Sequence, residues 1–121
     1  LLTHSPSLIH AVDRGGHTAL TLAVAFQRDA VVKDLLDRGM EMEHRINQSS
    51  SPYLAGDTAL LIATRLNAQS IATLLLEKGA DASVQDAAGV SVGSVALQMG
   101  HRQIYALIEA FRLDQIDQSD L

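Results

Sequence analysis

Two stretches of this chain carry nearly the same sequence, GHTALTLAVA at residues 16–25 and GDTALLIATR at residues 56–65. Their first glycines lie 40 residues apart, and Gly89 follows Gly56 after a further 33 residues. Recurrence at such a spacing is typical of repeat architectures, in which each unit is one supersecondary element that stacks on its neighbour. A single compact fold has no need of the second copy. The sequence therefore predicts a stack of similar units.

The apolar residues inside each unit recur with the period of an amphipathic helix. Three such stripes are present: Val31, Val32, Leu35 and Leu36; Ile71, Leu74 and Leu75; and Ile104, Leu107, Ile108 and Phe111. Thr18 and Thr58 are predicted N-caps, because a hydroxyl can accept a hydrogen bond from a backbone N–H of the first turn. Gly39 and Gly79 follow the second helices of their units, where glycine suits a left-handed backbone.

The composition excludes several function classes. The formal net charge is −5, only 3% of the residues are aromatic, and there is no cysteine. Nucleic-acid binders need a basic face and often aromatic side chains for stacking, so we expect no direct nucleic-acid binding. No apolar run is long enough to span a bilayer, and we expect no membrane partner. The absence of cysteine favours, weakly, an intracellular protein of the cytoplasm or nucleus.

Two short motifs offer chemistry at first sight. EMEHR at 41–45 holds two carboxylates and an imidazole, but no pair of histidines in the chain has the i, i+4 spacing of a helical zinc site. GVSVG at 89–93 fits G-x-S-x-G, yet it lacks the preceding buried strand that a nucleophile elbow requires. We therefore expect no catalytic residue, no metal site, no cofactor and no enzymatic activity.

The repeated unit resembles the ankyrin repeat, which reads D-x-x-G-x-T-P-L-H-x-A, then G-H, a second helix with L-L, and G-A-D over about 33 residues. The segment LLLEKGADASVQDAAG at 74–89 matches this pattern well, and Asp13 and Asp86 each stand three residues before a glycine. The resemblance covers nearly the whole chain. It implies an all-α solenoid of stacked helix-turn-helix pairs joined by β-hairpin-like loops.

The chain departs from that pattern at several positions. Alanine or valine replaces the proline of the motif, and its histidine is replaced by Thr21, Leu61 and Ser94, so the usual Thr–His hydrogen bond cannot form in that way. Gly93 and Glu109 stand where core leucines are expected. These changes predict a partly polar last repeat, as in a terminal cap that faces water. The alternative is that this repeat packs on a further C-terminal segment.

We expect one domain over residues 1–121. Its predicted parts are a truncated repeat end at 1–13, a repeat with an extended loop at 14–53, a repeat at 54–86, a capping repeat at 87–113 and an acidic tail at 114–121.

The first full spacing exceeds the second by seven residues, and the surplus falls in the loop at 41–56. One interpretation is a lengthened loop that contacts a partner through Tyr53 and Leu54, because tyrosine buries a large area while keeping a polar end. The other is a neutral insertion, since lengthening a surface loop costs little free energy. Tyr53 also takes the place of the aspartate that usually braces this turn.

The resemblance implies that a protein partner binds the concave face, which is formed by the loops and the first helices. Transferred position by position, it predicts these binding residues: Arg14, His17, Phe26, Tyr53, Leu54, Asp57, Arg65, Leu66, Val90, Gln98 and Met99. Phe26, Leu66 and Met99 hold equivalent positions and would form one apolar row. The alternative is that these residues pack against neighbouring helices as ordinary core, which for Phe26 is at least as well supported.

The main functional hypothesis is a protein–protein interaction module, an adaptor or scaffold. One alternative is a regulatory segment that docks on a catalytic or DNA-binding domain of a larger parent protein, and another is a structural spacer. The sequence also leaves open self-association through the apolar face of the truncated N-terminal repeat.

Overall fold

The structure is a computed structural model that describes residues 16–47 and 54–120. These residues form the helices α1 Ala19–Ala25, α2 Asp29–Asp37, α3 Ala59–Arg65, α4 Gln69–Glu77, α5 Val92–Gln98 and α6 Arg102–Asp120. Within these two ranges there is no strand, and the sheet-like pairing is limited to an antiparallel bridge between Gln85 and Ser91. The predicted all-α class with hairpin-like loops is confirmed.

The helices stack in two rows. In each repeat the first helix packs against the second, which gives the pairs α1–α2, α3–α4 and α5–α6. Between repeats, α3 packs between α1 and α5, while α4 packs between α2 and α6. Each pair thus buries its apolar face against the next pair, as expected of a solenoid.

The middle repeat shows how complete this burial is. Every residue from Ala59 to Thr64 is buried, because neighbouring first helices cover α3 on both sides. The core is aliphatic, with Leu60, Ile62 and Ile71 each at most 1% exposed. Full burial of a side chain of this size contributes about 1.5–3 kcal/mol, so the stacking of repeats is the main source of stability.

The predicted helix caps are confirmed in part. Thr18 Oγ1 accepts a hydrogen bond from the Thr21 N–H at 3.2 Å, and Gly39 and Gly79 have φ of 82° and 101°. The prediction for Thr58 is wrong with respect to its side chain. Thr58 precedes α3 with the extended backbone of an N-cap, but its hydroxyl caps no N–H and is buried without a hydrogen-bond partner.

One residue of the predicted stripes is not core. Val31 is 47% exposed, whereas the equivalent Ile71 and Ile104 are buried. Those two isoleucines lie on helices that pack against the preceding repeat, and Val31 lies in the first repeat that the structure describes. The position is therefore apolar in all three repeats, but its burial depends on a neighbour.

The last repeat has a longer second helix than expected. The backbone of α6 continues to Asp120, so the predicted boundary at 113 falls inside a helix. The Gln115 amide donates to Ala80 O at 3.1 Å and accepts from Ala82 N–H at 3.3 Å, which ties this extension to the preceding repeat. The predicted repeat end at 1–13 lies outside the described residues.

Candidate protein-binding surface

Three apolar side chains follow the first helices of the three repeats. Phe26, Leu66 and Met99 are the C-cap residues of α1, α3 and α5, so they occupy equivalent positions in the stack. Phe26 is 69% exposed and Met99 is 37% exposed, while Leu66 is half-buried against the core. The alternative that Phe26 is a core residue is therefore wrong. We call these three residues the apolar row.

Other predicted residues lie at the surface to different extents. Gln98 is exposed next to Met99, and Leu54 is 46% exposed at the end of the long loop, residues 41–56. Val90 is half-buried, and its N–H donates to Asp86 Oδ1 at 2.9 Å. The predicted residues Arg14 and Tyr53 lie outside the described residues.

Two residues that we expected at the exposed surface are buried. His17 is 8% exposed, and its Nδ1 lies 3.0 Å from Thr21 Oγ1. A histidine–threonine contact is thus present, but with the two residue types at other positions than in the family motif. Asp57 is 0% exposed, and its Oδ2 accepts a hydrogen bond from the Leu54 N–H at 2.9 Å. Asp57 therefore braces the loop from within, in the absence of an aspartate at position 53.

Arg65 lies between two aspartates instead of reaching into solvent. Its Nε is 2.7 Å from Asp57 Oδ2, its Nη2 is 2.9 Å from Asp86 Oδ2, and the side chain is 9% exposed. Burial acts to lower the pKa of Arg65, but the two carboxylates outweigh it and raise the pKa. The expectation of an exposed Arg65 is therefore wrong, because the guanidinium is held as a buried cation between two loops.

Asp86 belongs to the short loop, residues 79–91. Its Oδ1 accepts hydrogen bonds from the N–H groups of Ala88 and Val90, each at 2.9 Å. Burial acts to raise the pKa of Asp86, but these N–H groups and Arg65 outweigh it, so the pKa is lowered. Such a carboxylate stays ionised and holds its turn in one conformation.

Arg45, which the sequence did not single out, connects the same two loops. Its Nη1 donates to Gly56 O and to Gln85 O, both at 2.8 Å. The base of the long loop is closed by backbone hydrogen bonds, with Ile46 N–H donating to Asp57 O and Gly56 N–H donating to Ile46 O. The residues between, 48–53, lie outside the described part of the chain.

The two chemical motifs have structural roles. Ser91 of GVSVG is the N-cap of α5, where its Oγ accepts from the Ser94 N–H and donates to Ser94 Oγ. In EMEHR, Glu41 accepts from the Glu43 N–H and Glu43 accepts from the Asp81 N–H. Burial raises the pKa of Glu43 despite that hydrogen bond. Residues 16–47 and 54–120 contain no cluster of three metal-ligating side chains.

An apolar groove of about 450 Å³ lies on the first described repeat. It is lined by Ala19, Leu22, Ala23, Phe26, Arg28 and Val31. In the other repeats, the residues equivalent to Leu22 and Val31 are buried. The groove therefore corresponds to the side of a repeat that packs against its predecessor.

Among the helices of the described residues, none combines the length and the hydropathy that a membrane span requires.

Comparison with known proteins agrees with the repeat pattern. A family model described as ankyrin repeats (3 copies) matches residues 1–86. The chain is also similar to the crystal structure of an ankyrin repeat domain from Acinetobacter baumannii AYE, with 30% sequence identity and a TM-score of 0.70. The match covers 87% of this chain and 55% of that chain. The chain thus spans little more than half of the length of the structure that it matches.

Proposed function

Because the chain belongs to the ankyrin-repeat family, whose domains are generally protein–protein interaction modules, we propose that it binds a protein partner through its concave face and the long loop. The observation that supports this proposal is the exposure of two members of the apolar row, Phe26 at 69% and Met99 at 37%. Apolar side chains that recur at one position of successive repeats and stay in solvent are typical of an interaction surface. The partner would bind inside the cell, in the cytoplasm or the nucleus.

Asp57 and Arg65 are the charged binding residues of the prediction that fall within the described part of the chain, and neither contributes a free charge to this surface. Arg65 and Asp57 are paired with each other, so their role is to hold the loops. Contact with the partner is then assigned to Phe26, Leu66, Gln98 and Met99, with Leu54 at the end of the long loop. The expected contact is largely apolar, because the central residues of binding surfaces contribute most when they are desolvated on both sides.

The test is affinity capture from a native lysate with variants of the apolar row. Phe26→Ser and Met99→Ser should each lose the captured protein, because both side chains are exposed and their substitution leaves the core intact. Leu113→Ser is the matched control, since Leu113 is an exposed leucine on α6 outside the row. Circular dichroism must show that all three variants are folded.

Each other outcome contradicts the proposal in a specific way. If Leu113→Ser loses the captured protein as fully as Phe26→Ser, the contact does not depend on the apolar row. If the unmodified chain captures no protein, the adaptor interpretation fails. The two alternatives, a segment that docks on another domain of a larger protein and a structural spacer, would then take its place.

A further inference from the structure

We infer that Arg45 and Arg65 are positioning residues that join the long loop to the short loop, so that the two loops move as one unit. The importance of this coupling for binding rests on the proposed function. The coupling itself is a property of the unbound chain, and it can be measured without a partner.

Arg45 supplies the first connection. A single nitrogen of its guanidinium, Nη1, donates to two backbone carbonyls that belong to different loops, Gly56 O in the long loop and Gln85 O in the short loop. Gln85 lies 40 residues from Arg45 in the sequence. The guanidinium is a rigid planar group that holds both carbonyls. If one loop moves its carbonyl, either the hydrogen bond to that carbonyl or the one to the other loop must lengthen.

Arg65 supplies the second connection, between the two residues that brace the loops. Asp57 accepts the Leu54 N–H at the end of the long loop, and Asp86 accepts the Ala88 and Val90 N–H groups in the short loop. Because Arg65 binds both carboxylates, the turns that these aspartates hold are tied to one cation. The ion cluster is nearly excluded from water. Charge-assisted hydrogen bonds are strong in such an environment.

The consequence for binding is preorganisation. The residues next to the two connections include Leu54 and Val90, both predicted to contact the partner. Loops that are already fixed relative to each other lose less conformational entropy when a partner contacts both of them. The two arginines would thus act on affinity without contacting the partner.

Hydrogen–deuterium exchange on the whole chain tests the role of Arg45. The Arg45→Met variant should accelerate exchange about fivefold or more at the Ile46 and Gly56 amides of the long loop, and also at the Asp86 and Val92 amides of the short loop and its end. Arg38→Met is the matched control, because it removes the same charge from an exposed position on the surface of the stack. Urea unfolding of both variants gives the contribution of global unfolding to exchange, and this contribution is subtracted before the loops are compared.

A second measurement tests transmission between the loops. Gly89 has φ of 83°, and no atom beyond its two chain neighbours lies within 4 Å of the position where a Cβ would be added, so Gly89→Ala perturbs the short loop by backbone strain alone. This substitution should accelerate exchange at Ile46 and Gly56 in the long loop. The response should fall by about half or more when Arg45→Met is added, with Arg65 carrying the remainder.

The inference is overturned if Arg45→Met changes exchange in only one loop, or in neither. It is also overturned if Gly89→Ala has the same effect on the long loop with and without Arg45. Because no partner is present in these measurements, a failed capture experiment would refute the proposed function and leave this result unchanged.

Discussion

The Nε of Arg65 lies 2.7 Å from Oδ2 of Asp57, a carboxylate whose side chain is completely buried. A buried ion pair contributes little net stability compared with a well-packed apolar pair, because both charges lose their hydration. The loss of one partner is a different matter, since the remaining charge is then buried without compensation. Asp57 and Arg65 therefore depend on each other.

Replacement of Arg65 by methionine should lower the free energy of unfolding by about 3–5 kcal/mol, because it leaves Asp57 unpaired. The matched control is Arg38→Met, which removes an exposed pair with Asp34 and should cost about 1 kcal/mol or less. Urea denaturation followed by circular dichroism measures both values. Addition of Asp57→Asn to Arg65→Met should restore part of the loss. Equal costs for Arg65→Met and Arg38→Met would contradict the assignment.

The contacts within the ion cluster of Asp57, Arg65 and Asp86 could not be predicted from the sequence, although much of the fold could. Gly39, Gly79 and Thr18 were predicted correctly because turns and caps depend on residues within one or two turns of the chain. The ankyrin resemblance, confirmed by the family match, supplied the stacking. Arg65 was placed at the exposed surface because its sequence neighbours do not reveal Asp86, which lies 21 residues further along.

The apolar row shows the same division between local and distant information. The equivalence of Phe26, Leu66 and Met99 followed from the repeat alignment, and the structure places all three at C-caps. Their exposure did not follow from it, since burial depends on which neighbours cover each position. Arg45 had no distinguishing pattern in the sequence, because its two acceptors are backbone carbonyls.

The lowered pKa of Asp86 predicts a contribution to stability that depends on pH. Because the folded-state pKa lies below the unfolded value of about 3.9, the ionised Asp86 stabilises the fold above that value, and the contribution is lost as the pH falls through the lowered pKa. The difference in unfolding free energy between the chain and an Asp86→Asn variant should therefore be largest near neutral pH and should shrink below about pH 4. A difference that stays constant over this range would contradict the prediction.

The two N-cap threonines should respond differently to the loss of the hydroxyl. Thr18→Val should lower the free energy of unfolding by about 1 kcal/mol, because Thr18 Oγ1 accepts the Thr21 N–H. Thr58→Val should be neutral or stabilising, since the Thr58 hydroxyl is buried without a partner and valine has nearly the same shape. Thermal unfolding of the two variants, measured side by side, checks this order. The reverse order would show that Thr58 Oγ1 is satisfied in solution.

Replacement of Gln27 by glycine should relieve backbone strain and stabilise the first described repeat. Gln27, Asn67 and Gly100 occupy equivalent turns with φ of 55°, 58° and 77°. A left-handed backbone is strained for glutamine, less so for asparagine, and not for glycine. Gln27→Gly should therefore raise the free energy of unfolding by about 0.5–1 kcal/mol, and Asn67→Gly should raise it by less. Urea midpoints test this, and a destabilised Gln27→Gly variant would contradict it.

Deletion of residues 47–53 tests whether the insertion contributes to binding. The variant restores the 33-residue spacing of the following repeat and should remain folded, because Arg45, Ile46 and Asp57, which form the base of the loop, are retained. A long insertion in a surface loop has little effect on stability, so the midpoint of unfolding should change little. If the intact chain captures a protein that the shortened chain does not, the long loop takes part in recognition. Equal capture by both would contradict a role for the loop and would leave the apolar row as the binding surface.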